Sequence, residues 1–99
     1  MINSIRFEWD EGNSEHIKRH NVTMEEAEDV FFDKDQVVYE DRKHSVVEKR
    51  FIIIGKTEQQ RLLYQVFTQR DGKLRVISSR DLNKKEVGLY EKAVDRSKV

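Results

Sequence analysis

Apolar positions along the chain fall into short periodic groups separated by polar turns. "IRFEWD" at 5–10 alternates Ile5, Phe7 and Trp9 with Arg6, Glu8 and Asp10, the period-two signature of a half-buried strand. Asp10 then suits the cap of a short helix running to about Arg19, and Asn21 suits the left-handed residue that ends it. In "VTMEEAEDVFF" (22–32), Thr23 and Glu26 have capping-box spacing and Val22 is placed to staple onto Ala27. Met24, Ala27, Val30 and Phe31 continue as a helical stripe. "QVVYE" (36–40) reads as a strand and leads into a polar loop. "RFIIIGK" (50–56) is a nearly continuous apolar run, which predicts a central strand. "RLLYQVFTQR" (61–70) and "KLRVISSR" (73–80) are joined by Asp71-Gly72, a two-residue hairpin signal. After Asn83, a helix cap, Val87, Tyr90 and Val94 recur at helical spacing, and Gly88 weakens that helix by about 1 kcal/mol relative to alanine.

The predicted order is β-α-α-β-β-β-β-α. It describes one α+β domain spanning residues 1–99, an antiparallel meander with helices packed mainly on one face. Ninety-nine residues suffice for a single core, and no proline, repeat or linker-like tract marks a boundary. The absence of cysteine removes disulfide and thiolate chemistry and fits a cytoplasmic location. No stretch approaches the roughly 20 apolar residues of a membrane span, and the first residues lack the pattern of a signal peptide.

Charge changes this picture. The net charge is zero, yet residues 1–49 carry 7 Lys+Arg against 13 Asp+Glu, and residues 50–99 carry 12 against 6. Between 49 and 80, Lys49, Arg50, Lys56, Arg61, Arg70, Lys73, Arg75 and Arg80 face only Glu58 and Asp71. Antiparallel pairing suggests Arg50 and Arg80 as neighbours at one end of the sheet, with Arg61 towards the other. Alternation separates Arg75 from Arg80 unless a bulge intervenes. Guanidinium groups on a sheet suit bidentate phosphate binding and the extra charge of an attacked RNA phosphodiester. The same charges also serve simply to keep sheet edges from pairing with other chains.

Other chemistry has less support. His16 and His20 are four residues apart on a helix, but no third ligand is evident, so no metal and no cofactor is expected. His20 suits either proton transfer or a helix C-terminus. Ser78 and Ser79 have no nucleophile-elbow context, and no glycine-rich phosphate loop occurs. Trp9 and Tyr90 are placed either in the core or against RNA bases.

Five fragments resemble the BrnT family of toxins from bacterial type II toxin–antitoxin systems: "FEWDEGN" (7–13), "KRHNVTMEEAEDVFFD" (18–33), "EKRFIIIGKTEQQ" running into "RLL" (48–63), and "RVISSRDLNKKEVGLYE" (75–91). The resemblance implies a RelE-like fold and a metal-independent endoribonuclease that inhibits translation by cutting RNA. It also implies neutralisation by a BrnA-type antitoxin, whose ribbon-helix-helix element carries the complex to operator DNA. On the family pattern Arg61, Arg80, His20, Glu86 and Tyr90 are the catalytic candidates and Arg75 is an RNA-binding candidate; the charged strands add Arg50 and Lys56, and aromatic stacking adds Trp9, as further RNA-binding candidates. Gln60 and Asn21 stand where the family pattern has glycine, and Ser79 where it has alanine. The competing readings are a catalytically silent module that binds a protein partner and a nucleic-acid-binding module without turnover.

Overall fold

The computed structural model describes residues 4–98; the predicted domain's outermost residues, 1–3 and 99, lie outside them. Helices α1 (Glu11–Lys18) and α2 (Met24–Asp29) come first, and a 3-10 turn, Val30–Phe32, extends α2. Strands β1 (Val37–Glu40), β2 (Phe51–Lys56), β3 (Leu62–Arg70) and β4 (Lys73–Asp81) follow, then α3 (Lys84–Ser97). The four strands form an antiparallel meander in chain order, with β2 and β3 central.

Local chemistry sets the ends of these elements. Asp10, Thr23 and Asn83 each cap a helix through a reciprocal capping box, with Asn13, Glu26 and Glu86 as the respective partners. Asn21 ends the first helical segment at φ 57°. Asp71 and Gly72, at φ 51° and 75°, make the two-residue turn between β3 and β4, where both central residues need positive φ. Gln60, in the position where the family pattern has glycine, takes φ 74°.

The sheet divides the core into two layers. On one face Ile17, Val22, Ala27 and Val30 from the α1–α2 region pack on Ile53, Leu63, Phe67 and Val76. On the other face Tyr90 and Val94 of α3 pack near Ile52, Ile54, Val37 and Leu62. The expectation of helices mainly on one face is thus met by α1 and α2 only, because α3 crosses over. A turn through Leu82 carries the chain across, and the tyrosine and valine stripe of α3 needs apolar cover that the first face has already used.

The segment expected as a strand at 5–10 pairs with the sheet only through a parallel bridge between Phe7 and Leu74. Glu8 N donates to Leu74 O at 2.9 Å and Leu74 N donates to Arg6 O at 2.8 Å. Side chains supply the rest of its anchoring: Trp9 Nε1 donates to Glu28 at 2.7 Å, and Phe7 meets Phe31 edge-on. Its apolar alternation therefore reflects packing against α2 more than membership of the ladder.

Buried polar groups on the α1–α2 face are paired. Ser79 Oγ donates to Gln65 at 2.8 Å and Gln65 donates to Ala27 O at 3.0 Å. Asn13 Nδ2 donates to both Glu8 O and Val76 O at 3.0 Å. Gly55 marks the closest approach of β2 to the turn after α2. A Cβ there would lie 2.8 Å from Val30 Cγ1 and 3.1 Å from Val30 O. Gly55→Ala is therefore expected to cost about 1–3 kcal/mol through overpacking, read as a lower midpoint in urea denaturation.

Candidate functional site on the open sheet face

One irregularity in β4 decides which arginines share a face. Tyr64 pairs with Arg80 and Val66 with Ser78, but Phe67 pairs with Val76 and Thr68 with Arg75. Ile77 is the inserted residue of a bulge. Tyr64, Val66 and Thr68 alternate on β3, so their partners Arg80, Ser78 and Arg75 all project from the same side. Without the insertion, Arg75 and Arg80 would face oppositely. Along β2 the same alternation puts Arg50 with Ile52 and Ile54 on this side, the α3 face.

At one end of that face Arg80 lies over the Tyr64 ring, 3.9 Å from its centroid. It donates to both oxygens of Glu86, at 2.8 and 2.9 Å, and to its neighbour Asp81 O at 3.1 Å. Two of its five N–H donors stay unengaged by side-chain bonding. Glu86 sits in the first turn of α3 and also accepts from Asn83 N, so the helix cap orients the carboxylate that orients Arg80. The bond from Arg80 holds the Glu86 carboxyl below the usual carboxylate range, against the opposing effect of burial. Tyr39 on β1 is 40% exposed, and burial raises both its phenol and that of Tyr64. Both hydroxyls keep their protons at neutral pH.

At the other end Arg50, Arg70 and Arg75 line a recess of about 250 Å³ with His16, Gly12, Asn13, Ile77 and Glu48. Arg70 donates to Glu48 at 2.9 and 3.1 Å, and Arg75 donates to Asp10 at 2.9 and 3.1 Å. These bonds hold the Glu48 and Asp10 carboxyls below their ordinary values. Arg50, half-buried, has no carboxylate partner among the described residues. Its backbone is fixed instead: Arg50 N donates to Ser45 Oγ at 3.0 Å and Asp41 N donates to Arg50 O at 2.8 Å.

The remaining candidates lie elsewhere. The expected adjacency of Arg50 and Arg80 is corrected by the register. Arg80 crosses the sheet at Tyr64 and Ile54, whereas Arg50 precedes Phe51, which pairs with Phe67 near the Arg75 end. Arg61 stands near the Arg80 end but on the α1–α2 face. All five of its donors are engaged, by Asp81, Glu26, Asn21 O and His20 O. It acts as a clamp joining the α1–α2 turn to the sheet. His20 is exposed on that turn and offers its carbonyl to Arg61. Tyr90 is 4% exposed and donates to Asp33 at 2.6 Å; burial and that bond push its phenol well up. Trp9 is half-buried beside the first core layer, and Lys56 shares the α3 side of β2 but lies beside Leu62, Tyr90 and Glu91, under α3 and apart from both arginine groups. Of the nine candidates, the open face therefore gathers Arg80 and Glu86 at one end and Arg50 and Arg75 at the other.

Tyr39, Tyr64, Arg70 and His16 join this face without having been singled out for it. Tyr64 was readable as an alternating position of "RLLYQVF", but only the register reveals that it underlies Arg80. His16, four residues from His20 in the sequence, is turned by helix α1 towards the arginine recess.

The Arg61 clamp generates a prediction. Arg61 holds Asp81 low; burial raises Glu26, but bonds from Thr23 and Arg61 outweigh it. Carboxyls lowered on folding add stability above their unfolded values near 4, and that stability is lost as pH falls through the folded values. Arg61→Met is expected to cost about 1–3 kcal/mol near neutrality, mostly through Glu26 and the two carbonyls because Asp81 is well exposed. Thermal melts from pH 7 to pH 3 check this: the deficit should shrink below about pH 4.

No curated protein matches the chain at a significant level. A family model described as the ribonuclease toxin BrnT of type II toxin–antitoxin systems matches residues 9–86, which include the helical face, the whole sheet and the start of α3. The chain belongs to this family of ribonuclease toxins.

Proposed function

We propose that the chain is a metal-independent endoribonuclease that inhibits translation, and that it cuts single-stranded RNA on the open α3 face of the sheet. The observation that carries this reading is the bulge at Ile77, which turns Arg75 and Arg80 to one side together with Ser78. In the proposed step the ribose 2′-oxygen attacks the adjacent phosphorus, the new O–P bond forms, and the bond to the 5′-oxygen breaks. The products are a 2′,3′-cyclic phosphate and a 5′-hydroxyl. Arg80, with two donors unengaged, binds the phosphate and stabilises the charge of the pentacoordinate state. Glu86 is ionised and adjacent, and it takes the 2′-hydroxyl proton. The phenols of Tyr39 and Tyr64 are the donors on this face for the departing 5′-oxygen.

Catalysis is given to guanidinium because Arg80 holds two unengaged forked donors on this face beside an ionised carboxylate. His20 and Tyr90 have no part in the step, since one lies on the far side of the sheet and the other is buried against Asp33. Among the described residues no helix is long and apolar enough to cross a membrane, and we place the toxin in the cytoplasm with its RNA. A BrnA-type antitoxin with a ribbon-helix-helix element is the expected partner, and it would neutralise by covering this face and connect the complex to operator DNA.

One observation favours the second reading, a silent binding module. Arg61, Arg70, Arg75 and Arg80 each hold a carboxylate. An RNA phosphate must therefore compete with Glu86 or use the donors left over. Glu86 is 8% exposed, and displacing it would strand a buried carboxylate, so the phosphate takes the two Arg80 donors left over. The test uses antitoxin-free chain, single-stranded RNA with and without ribosomes, and a chelator. Cleavage is expected to survive the chelator and to fall by about 10²–10³ in Arg80→Ala, with the circular dichroism spectrum unchanged. Undiminished cutting by Arg80→Ala defeats the proposed site, and tight partner binding with no cutting by the native chain favours the silent module. Arg80→Lys should rescue poorly, because an ammonium lacks the planar fork that meets Glu86 and phosphate together.

A further inference from the structure

The recess at the far end of the open face is not needed for the bond-breaking step, yet it concentrates more guanidinium groups than the Arg80 end. Arg50, Arg70 and Arg75 enter it from three different strands or their ends, His16 enters from α1, and among the described residues Glu48 is the only acid lining it. Asp10 and Glu8 hold Arg75 but do not line the hollow. Arg75 offers two further N–H groups and Arg70 three, and Arg50 engages none of its own in side-chain bonds among the described residues. An unpaired, half-buried guanidinium beside two partly used ones is an arrangement that an anion completes.

Position on the sheet identifies the anion. Four residues of β3 separate Tyr64, beneath Arg80, from Thr68, opposite Arg75. At the rise of a strand this is about 13 Å, a span of a few nucleotides of single-stranded backbone. Between the two ends the face carries Tyr39, which is 40% exposed, and Val66, a surface on which a base can stack. Resting on the nuclease reading above, we propose that His16, Arg50, Arg70 and Arg75 form a second phosphate subsite that holds the RNA backbone away from the cut. The face then reads RNA as phosphate, stacked base, phosphate, and the recess sets which length of RNA is gripped. An acidic protein segment would satisfy the recess but would make no use of the aromatic surface leading from it to Arg80.

Binding must be measured apart from cleavage. A fluorescent RNA octamer with every 2′-oxygen methylated has no attacking hydroxyl, so anisotropy titration reports affinity alone. Arg50→Gln, Arg70→Gln and the double variant are expected to weaken binding and to lower the slope of log affinity against log salt by roughly 0.7 for each phosphate that is no longer neutralised. Arg50→Gln strands no carboxylate, and thermal melting of each variant confirms the fold. Unchanged affinity and slope in the folded double variant overturn the subsite. So does an Arg50-dependent affinity for a polyglutamate peptide with none for the octamer. Loss of octamer binding in these variants sustains the subsite even if Arg80→Ala still cuts RNA, because that second result strikes only the assignment of the cleavage centre.

Discussion

Side chains on a strand alternate, so two residues five apart point to opposite sides of a sheet unless a residue is inserted between them. In β4 that residue is Ile77. The insertion leaves Ser79 and Val76 together on the covered side, where Ser79 bonds Gln65 and Val76 joins the apolar layer. It also puts Arg80, Ser78 and Arg75 together on the side that α3 covers only in part. A single extra residue thus reconciles a packed core with a cationic open surface on one short strand.

The arginines consequently divide by face. Arg61 is spent inside the fold: it bonds two backbone carbonyls and two carboxylates, and it fastens the turn between α1 and α2 to the sheet. Arg80, Arg75, Arg70 and Arg50 stand on or beside the open surface with part or all of their hydrogen-bonding capacity in reserve. The carboxylate partners of Arg80, Arg75 and Arg70 orient those three before any ligand arrives. Glu86 is the clearest case, since the cap of α3 fixes it and it fixes Arg80 in turn. The more exposed pair of Arg70 with Glu48 contributes little net stability, and the use of all three pairs is geometric: they keep forked donors aimed without occupying every donor.

The acidic first half also finds its place. Asp10, Glu8, Glu26 and Glu48 answer Arg75, Arg70 and Arg61 across the chain midpoint. Part of the charge division is therefore answered by specific pairs between the halves, and the basic half is less bare than its composition suggests. Asp33 adds a further cross-link, accepting from Lys56 N at 2.8 Å and from Tyr90.

Sequence alone determined the element order from α1 onward, the three helix caps, the Asp71-Gly72 turn and the central place of β2, because each rests on neighbours within a few residues. Five short fragments in order also carried the family. The side of the sheet chosen by α3, the reduction of 5–10 to a bridge, and the separation of Arg50 from Arg80 were decided only in three dimensions. Register depends on how strands slide against one another, and one inserted residue reverses the facing of everything beyond it. Arg61 makes the same point at a single residue: its spacing resembles a phosphate ligand, but its role follows from carbonyls and carboxylates that lie 20 to 41 residues away in the chain.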